Sequence, residues 1–243
     1  MRGAAVLGVL LLWASMGRLP AHAQSGTDMC QGLPDPPRIL NGNNALAGTS
    51  FRLPARAGVP GFRLTVRRLA PGDANHLVHI ADIEVAGCSD GRTIQTLPIV
   101  GYDQPLTARS LHAEDINFDG YPDIGVLVEY GAKWGSESFW VFDPTAGKFI
   151  ENDLTRQLRE LKPNGYEFDA RKHEIRIPHL TQPWCRNTED RYTVEDHDRL
   201  VLMHSEEAKG LAGDGCEVVV SDRIRGKMQV AKVQRIAKPE PQQ

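Results

Sequence analysis

The nine residues Asp115-Ile116-Asn117-Phe118-Asp119-Gly120-Tyr121-Pro122-Asp123 constrain this chain more than any other stretch, with side-chain oxygens at positions 1, 3, 5 and 9 and glycine at 6. A tightly curled backbone turns alternate side chains inward, so Asp115, Asn117 and Asp119 can face one point. The Tyr121 carbonyl follows from position 7, Asp123 closes the ring, and Gly120 permits the reversal between them. Such a set of hard oxygens suits Ca²⁺, which takes roughly six to eight of them at about 2.3 to 2.6 Å. Three crowded carboxylates repel one another unless a cation neutralises them, which points to a structural ion. Position 12 is Val126, not the glutamate of an EF-hand, and it already lies in an apolar run. A helix-loop-helix sensor is therefore excluded, and the loop runs directly into a strand. The plainer alternative is an acidic turn ahead of a strand.

The flanking sequence is β in character. Phe62, Leu64 and Val66 alternate with Arg63, Thr65 and Arg67, the pattern of a half-buried strand; residues 76–85 and 92–100 follow as partners across the turn Gly87-Cys88-Ser89-Asp90-Gly91. Residues 124–130 (IGVLVEY) and 138–142 (SFWVF) are predicted to pair as a hairpin across residues 131–137. Leu154, Leu158 and Leu161 fall at helical spacing behind Asn152 or Asp153, either of which can cap one short helix ended by Pro163-Asn164-Gly165. Short β segments are then expected at 166–169, 174–177, 191–195, 199–204 and 217–221. No repeat of blade length is visible, which argues against a full propeller. The fold class expected is mainly β: antiparallel sheets forming a sandwich or an incomplete, propeller-like domain, with one short helix and the calcium loop. Residues 24–60, rich in Gly, Pro and Asn, read as a loosely ordered lead-in, 61–236 as one β-rich calcium-binding domain, and 237–243 as a disordered tail.

Residues 1–23 read as a cleavable signal peptide: Arg2 supplies the basic start, residues 4–13 the apolar run, and Ala21-His22-Ala23 the cleavage site. The apolar run is about half of what a bilayer span needs, so no membrane span is expected. Export places Cys30, Cys88, Cys185 and Cys216 in an oxidising compartment, where an even count favours disulfides. Of the three possible pairings, Cys30 with Cys88 and Cys185 with Cys216 is favoured, because each closes a loop within one half of the chain. Loss of Arg2 and Arg18 with the signal takes the formal charge from −3 to −5, which offers nothing to nucleic acid.

Other constellations are weaker. His76 and His79 would share a face only on a helix, yet they lie in a strand-like run, so zinc is not expected there. Asp196, His197 and Asp198 read as a solvated hairpin turn. No GxSxG nucleophile elbow is present, and no carboxylate pair is singled out by its neighbours, so an enzyme is not expected.

The stretch DINFDGYPDIGVLVEYGAKWGSESFWVFDPTAGKFIENDLTRQL, within residues 109–161, resembles the central segment of a bacterial family of periplasmic FG-GAP-like proteins: the D-x-N-x-D-G-x-x-D loop, a strand, a Gly/Ser-rich loop, an aromatic strand ending in Phe-Asp-Pro, and Phe before a short helix. Residues 191–203 are similar to the family's C-terminal hairpin. The best understood members are immunity proteins that inhibit peptidoglycan hydrolases delivered by type IV secretion systems, with a fold related to periplasmic lysozyme inhibitors. The resemblance implies a periplasmic inhibitor whose protein partner is a peptidoglycan hydrolase. It implies contact through Gly131, Lys133, Trp134, Gly135, Ser136, Glu137 and Phe139, where glycines allow close approach and Trp134 has the character of an interface anchor. Two other classes compete with it: a cell-envelope hydrolase whose acidic site is not located, and a structural calcium-binding module without inhibitory activity.

Overall fold

The computed structural model describes residues 28–36, 48–56, 58–68, 78–101, 111–130, 135–161, 163, 165–181, 185, 187–211 and 215–237. Alternating hydrophobicity organises them into three successive antiparallel sheets. The first runs in chain order through β1 (Ser50–Leu53), β2 (Phe62–Arg68), β3 (Val78–Gly87) and β4 (Thr93–Gly101). The second comprises β5 (Leu111–Glu114), β6 (Asp123–Tyr130), β7 (Gly135–Asp143) and β8 (Lys148–Ile150). One helix, α1 (Asp153–Leu161), leads to the third sheet: β9 (Glu167–Asp169), β10 (Glu174–His179), β11 (Thr188–Glu195), β12 (Arg199–Leu211), β13 (Gly215–Ile224) and β14 (Lys227–Ala237). The described residues are thus mainly β with one short helix, in a sandwich-like arrangement, as the alternation predicts.

Two cores explain the layering. Inward side chains of the first sheet (Phe51, Leu64, Ile83, Leu97) meet those of the second (Leu111, Val126, Trp140, Phe142) in the larger core. The opposite face of the second sheet contributes Phe139 to a smaller core with Leu154 and Leu158 of α1 and Ile175 of β10. Strand β7 is therefore buried on both sides nearly along its whole length, with the apolar run Phe139 to Phe142 at its centre. Gln95 of β4 acts as a backbone surrogate between the first two sheets: its Nε2 donates to the Phe149 carbonyl (2.7 Å) and its Oε1 accepts the Phe149 N–H (3.0 Å). Residue Asn152 caps α1 reciprocally with Thr155, each side-chain oxygen accepting the other's backbone N–H.

Both disulfides form in the favoured pairing, Cys30–Cys88 with Cα atoms 5.2 Å apart and Cys185–Cys216 at 6.0 Å. Together they fit an oxidising compartment. No helix among the described residues is long and apolar enough to cross a membrane. Residues 1–27, which contain the predicted signal peptide, lie outside the described part, as do the last six residues of the predicted tail.

Four strands went unforeseen, among them the three-residue β8. Within the stretch read as a loose lead-in, β1 pairs with β2 in the register Phe51↔Leu64 and buries Phe51 and Leu53. Four-residue β5 is too short to show a period. The last strand, β14, is joined to β13 by Arg225-Gly226, both at positive φ (49° and 80°), the backbone of a two-residue hairpin turn. The Asp196-His197 pair also has positive φ, in the β11–β12 hairpin read from the sequence.

Candidate functional site

The loop between β5 and β6 alternates as the sequence predicts. Ile116 and Phe118 turn into the smaller core, while Asp115, Asn117 and Asp119 turn to the loop's own interior. There the Asp119 N–H donates to Asp115 Oδ1 (3.0 Å) and Asn117 Oδ1 (3.2 Å), and the Gly120 N–H donates to Asp115 Oδ2 (3.0 Å). The Tyr121 N–H donates to Asp119 Oδ1 (2.9 Å), and Asn117 Nδ2 donates to Asp119 Oδ2 (2.8 Å). Gly120 has φ of 92°, as the reversal requires. Phe118 also adopts a left-handed φ of 59°, a strained conformation for an aromatic residue that persists where the surroundings over-determine it. Here they do: the Phe118 ring stacks on His173 with centroids 5.3 Å apart, and Tyr121 packs on Phe142 from the other side. The neighbouring hairpin adds His197, whose Nδ1 lies 3.2 Å from the Asn117 carbonyl.

Asp123 is wholly buried at the first position of β6. Its Oδ2 accepts the Ile116 N–H and its Oδ1 the Phe142 N–H, both at 2.8 Å, so one carboxylate ties the loop's start to β7. Burial pushes the Asp123 carboxyl well above the usual carboxylate range; the two backbone N–H groups oppose this, while Asp119 and Asp115 add to it by repulsion. Asp115 is raised too, by burial first and by Asp119 in part. Each carboxylate oxygen carries a second lone pair, so the N–H bonds at Asp115, Asp119 and Asp123 leave acceptor capacity for a cation. The donor set fits a hard divalent ion in kind. In spacing it is open: the carboxylates of Asp115, Asp119 and Asp123 are not gathered within 4.8 Å of one another. The one acidic and sulfur cluster that tight among the described residues is Asp28, Cys30 and Cys88, whose sulfurs are committed to the disulfide.

The residues expected to form a partner-facing loop are placed differently. Gly135, Ser136, Glu137 and Phe139 belong to β7, and Phe139 is wholly buried against Tyr166 and Phe168. The correction has a physical cause: the glycine and serines that resemble loop sequence are small residues buried in a strand covered on both faces, with Ser136 and Ser138 each 7% exposed. Gly131, Lys133 and Trp134 lie outside the described residues, as does His76; His79 falls in β3. Among the four that the structure describes, Glu137 lines an open groove shared with His112, Tyr166 and Phe168. Sequence reasoning missed these residues because they are separated by up to 56 positions and share no motif; the alternation Tyr166-x-Phe168 was the single local signal.

These features define a class: a three-sheet β protein with a D-x-N-x-D-G-x-x-D turn stapled into its sandwich. No family model matches the chain, and no curated protein is similar to it. Among solved structures, one described as a Xanthomonas type IV secretion system related protein is similar at 16% sequence identity and a TM-score of 0.49, over 79% of this chain and 97% of that one.

Proposed function

We propose that this is a periplasmic, calcium-stabilised binding protein that inhibits a lysozyme-like peptidoglycan hydrolase. The observation that carries the calcium half is the double anchoring of the 115–123 loop: Ile116 and Phe118 fix it in the smaller core while the side-chain oxygens of Asp115, Asn117 and Asp119 face its interior. A bound Ca²⁺ would supply the counter-charge for Asp115, Asp119 and Asp123 and draw their oxygens together, with Asn117 and the Tyr121 carbonyl completing the set. The inhibitory half rests on the resemblance of residues 109–161 to the immunity proteins. Correction of the loop narrows the contact residues to Gly131, Lys133 and Trp134, in the chain that joins β6 to β7.

The test is a panel of muramidases assayed with the purified protein in calcium. At least one is expected to be suppressed, and Trp134→Ala is expected to weaken that suppression by at least about tenfold, as for an interface anchor, without lowering the melting temperature. No suppression across the panel, or cleavage of peptidoglycan by the protein alone, would contradict the reading.

A further inference from the structure

We propose that the groove between β5–β7 and the β9–β10 hairpin binds a neutral, hydroxyl-rich ligand, a saccharide unit, with Glu137 as its principal acceptor. The proposal goes beyond the hydrolase reading and does not depend on it.

The groove encloses about 610 Å³, a small-molecule volume. Its floor is built around a half-buried polar pair. His112 on β5 reaches across β6 to Glu137 on β7, Nε2 to Oε2 at 2.8 Å, with side chains 16% and 12% exposed. It can do so because the residue it crosses is Gly125; a methyl group there would overlap the imidazole ring. Phe139 meets the ring edge-on from below, and Phe168 stacks over it from the opposite wall. The imidazole is thus fixed on four sides, and through it the Glu137 carboxylate. Among the described residues nothing else hydrogen-bonds that carboxylate, which leaves Oε1 free to accept.

The charges around this pair select the ligand. Glu114, Glu167 and Asp169 add further carboxylates to the lining, and Arg171 and Arg176 add donors, Arg176 being tied to Glu167 at 2.7 Å. An anion would meet the carboxylates, and a cation would meet both arginines. An apolar ligand would strand all of these groups without water. A hydroxyl both donates and accepts, so it can satisfy carboxylate and guanidinium together. The stacked Tyr166 and Phe168 rings, 5.9 Å apart, supply an apolar wall beside the polar floor for the C–H surface of a sugar. The Tyr166 hydroxyl is already committed to the Leu158 carbonyl and serves the wall alone.

The experiment is an NMR titration of the calcium-loaded chain with cellotriose, mannotriose and N,N′,N″-triacetylchitotriose, all neutral, and separately with penta-lysine. At least one trisaccharide should shift the His112 and Phe168 resonances saturably. Glu137→Gln, which keeps the shape and removes the charge, should weaken that binding about tenfold, and so should Arg171→Ala on the exposed turn. Unchanged resonances in the first sheet would show that both variants are folded. Absence of shifts with all three sugars, equal shifts in both variants, or saturable binding of penta-lysine in place of the sugars would overturn the proposal. Muramidase inhibition is read in a different assay, so either reading can fail alone.

Discussion

Asp123 concentrates most of what is unusual about this molecule into one side chain. A carboxylate with no solvent exposure is costly unless its oxygens are engaged, and here two backbone N–H groups engage them. Asp123→Ala orphans both donors in the interior. We expect it to destabilise the calcium-free protein by about 3 kcal/mol, read from urea denaturation; a loss under about 1 kcal/mol would show that the staple is incidental. The tyrosines of the smaller core give a pH prediction. Burial, reinforced by Asp190, pushes Tyr192 up to about 12, and burial with Glu137 and Tyr192 raises Tyr166 further. The folded state therefore holds protons that the unfolded chain releases near pH 10, so stability is complete below that value and is lost as pH rises from 10 towards 12. Tyrosinate absorbance should show these two residues titrating only as the protein unfolds; free titration near pH 10 with the fold intact would contradict their burial.

At the scale of elements, α1 and the β2–β4 meander were legible because their periods are long enough to count: leucines at 154, 158 and 161, and alternating Phe62, Leu64 and Val66. The short strands β1 and β5 were not, since four residues carry no period and are set by the neighbour they pair with. Strand β7 misled in the opposite sense. Its Gly135, Ser136 and Ser138 look like loop residues, but a strand packed on both faces needs small side chains wherever its neighbours are large. The link between the first two sheets was invisible for another reason: one glutamine replaces a backbone pairing across 54 residues. Gln95→Ala should cost about 1 to 2 kcal/mol, since it removes both bonds and leaves the Phe149 N–H and carbonyl half-buried. A thermal melt unchanged from wild type would remove this bridge from the fold's support.

For the whole molecule, the described sheets follow chain order and each closes on local pairing, so long-range order rests on the two cores, the smaller cluster of Cys185, Cys216 and Val218, and the two disulfides. Cys185–Cys216 ties the connection between β10 and β11 to β13, across 31 residues. Replacing both cysteines by serine should cost about 3 kcal/mol by relaxing the unfolded chain, with the loss read from the melting temperature under non-reducing conditions. The acidic loop of residues 115–123 was legible in the sequence down to which side chains turn inward, whereas the groove beside β9 was not, because only the folded meanders bring His112, Glu137 and Phe168 together. The calcium proposal rests on the acidic turn that joins β5 to β6. The most direct measurement is calorimetric titration of the metal-stripped protein with Ca²⁺, alongside Asp119→Asn. One site per chain, with uptake abolished or weakened at least about tenfold in the variant, is the expected result. Absence of binding heat together with an unchanged melting temperature in calcium would contradict it.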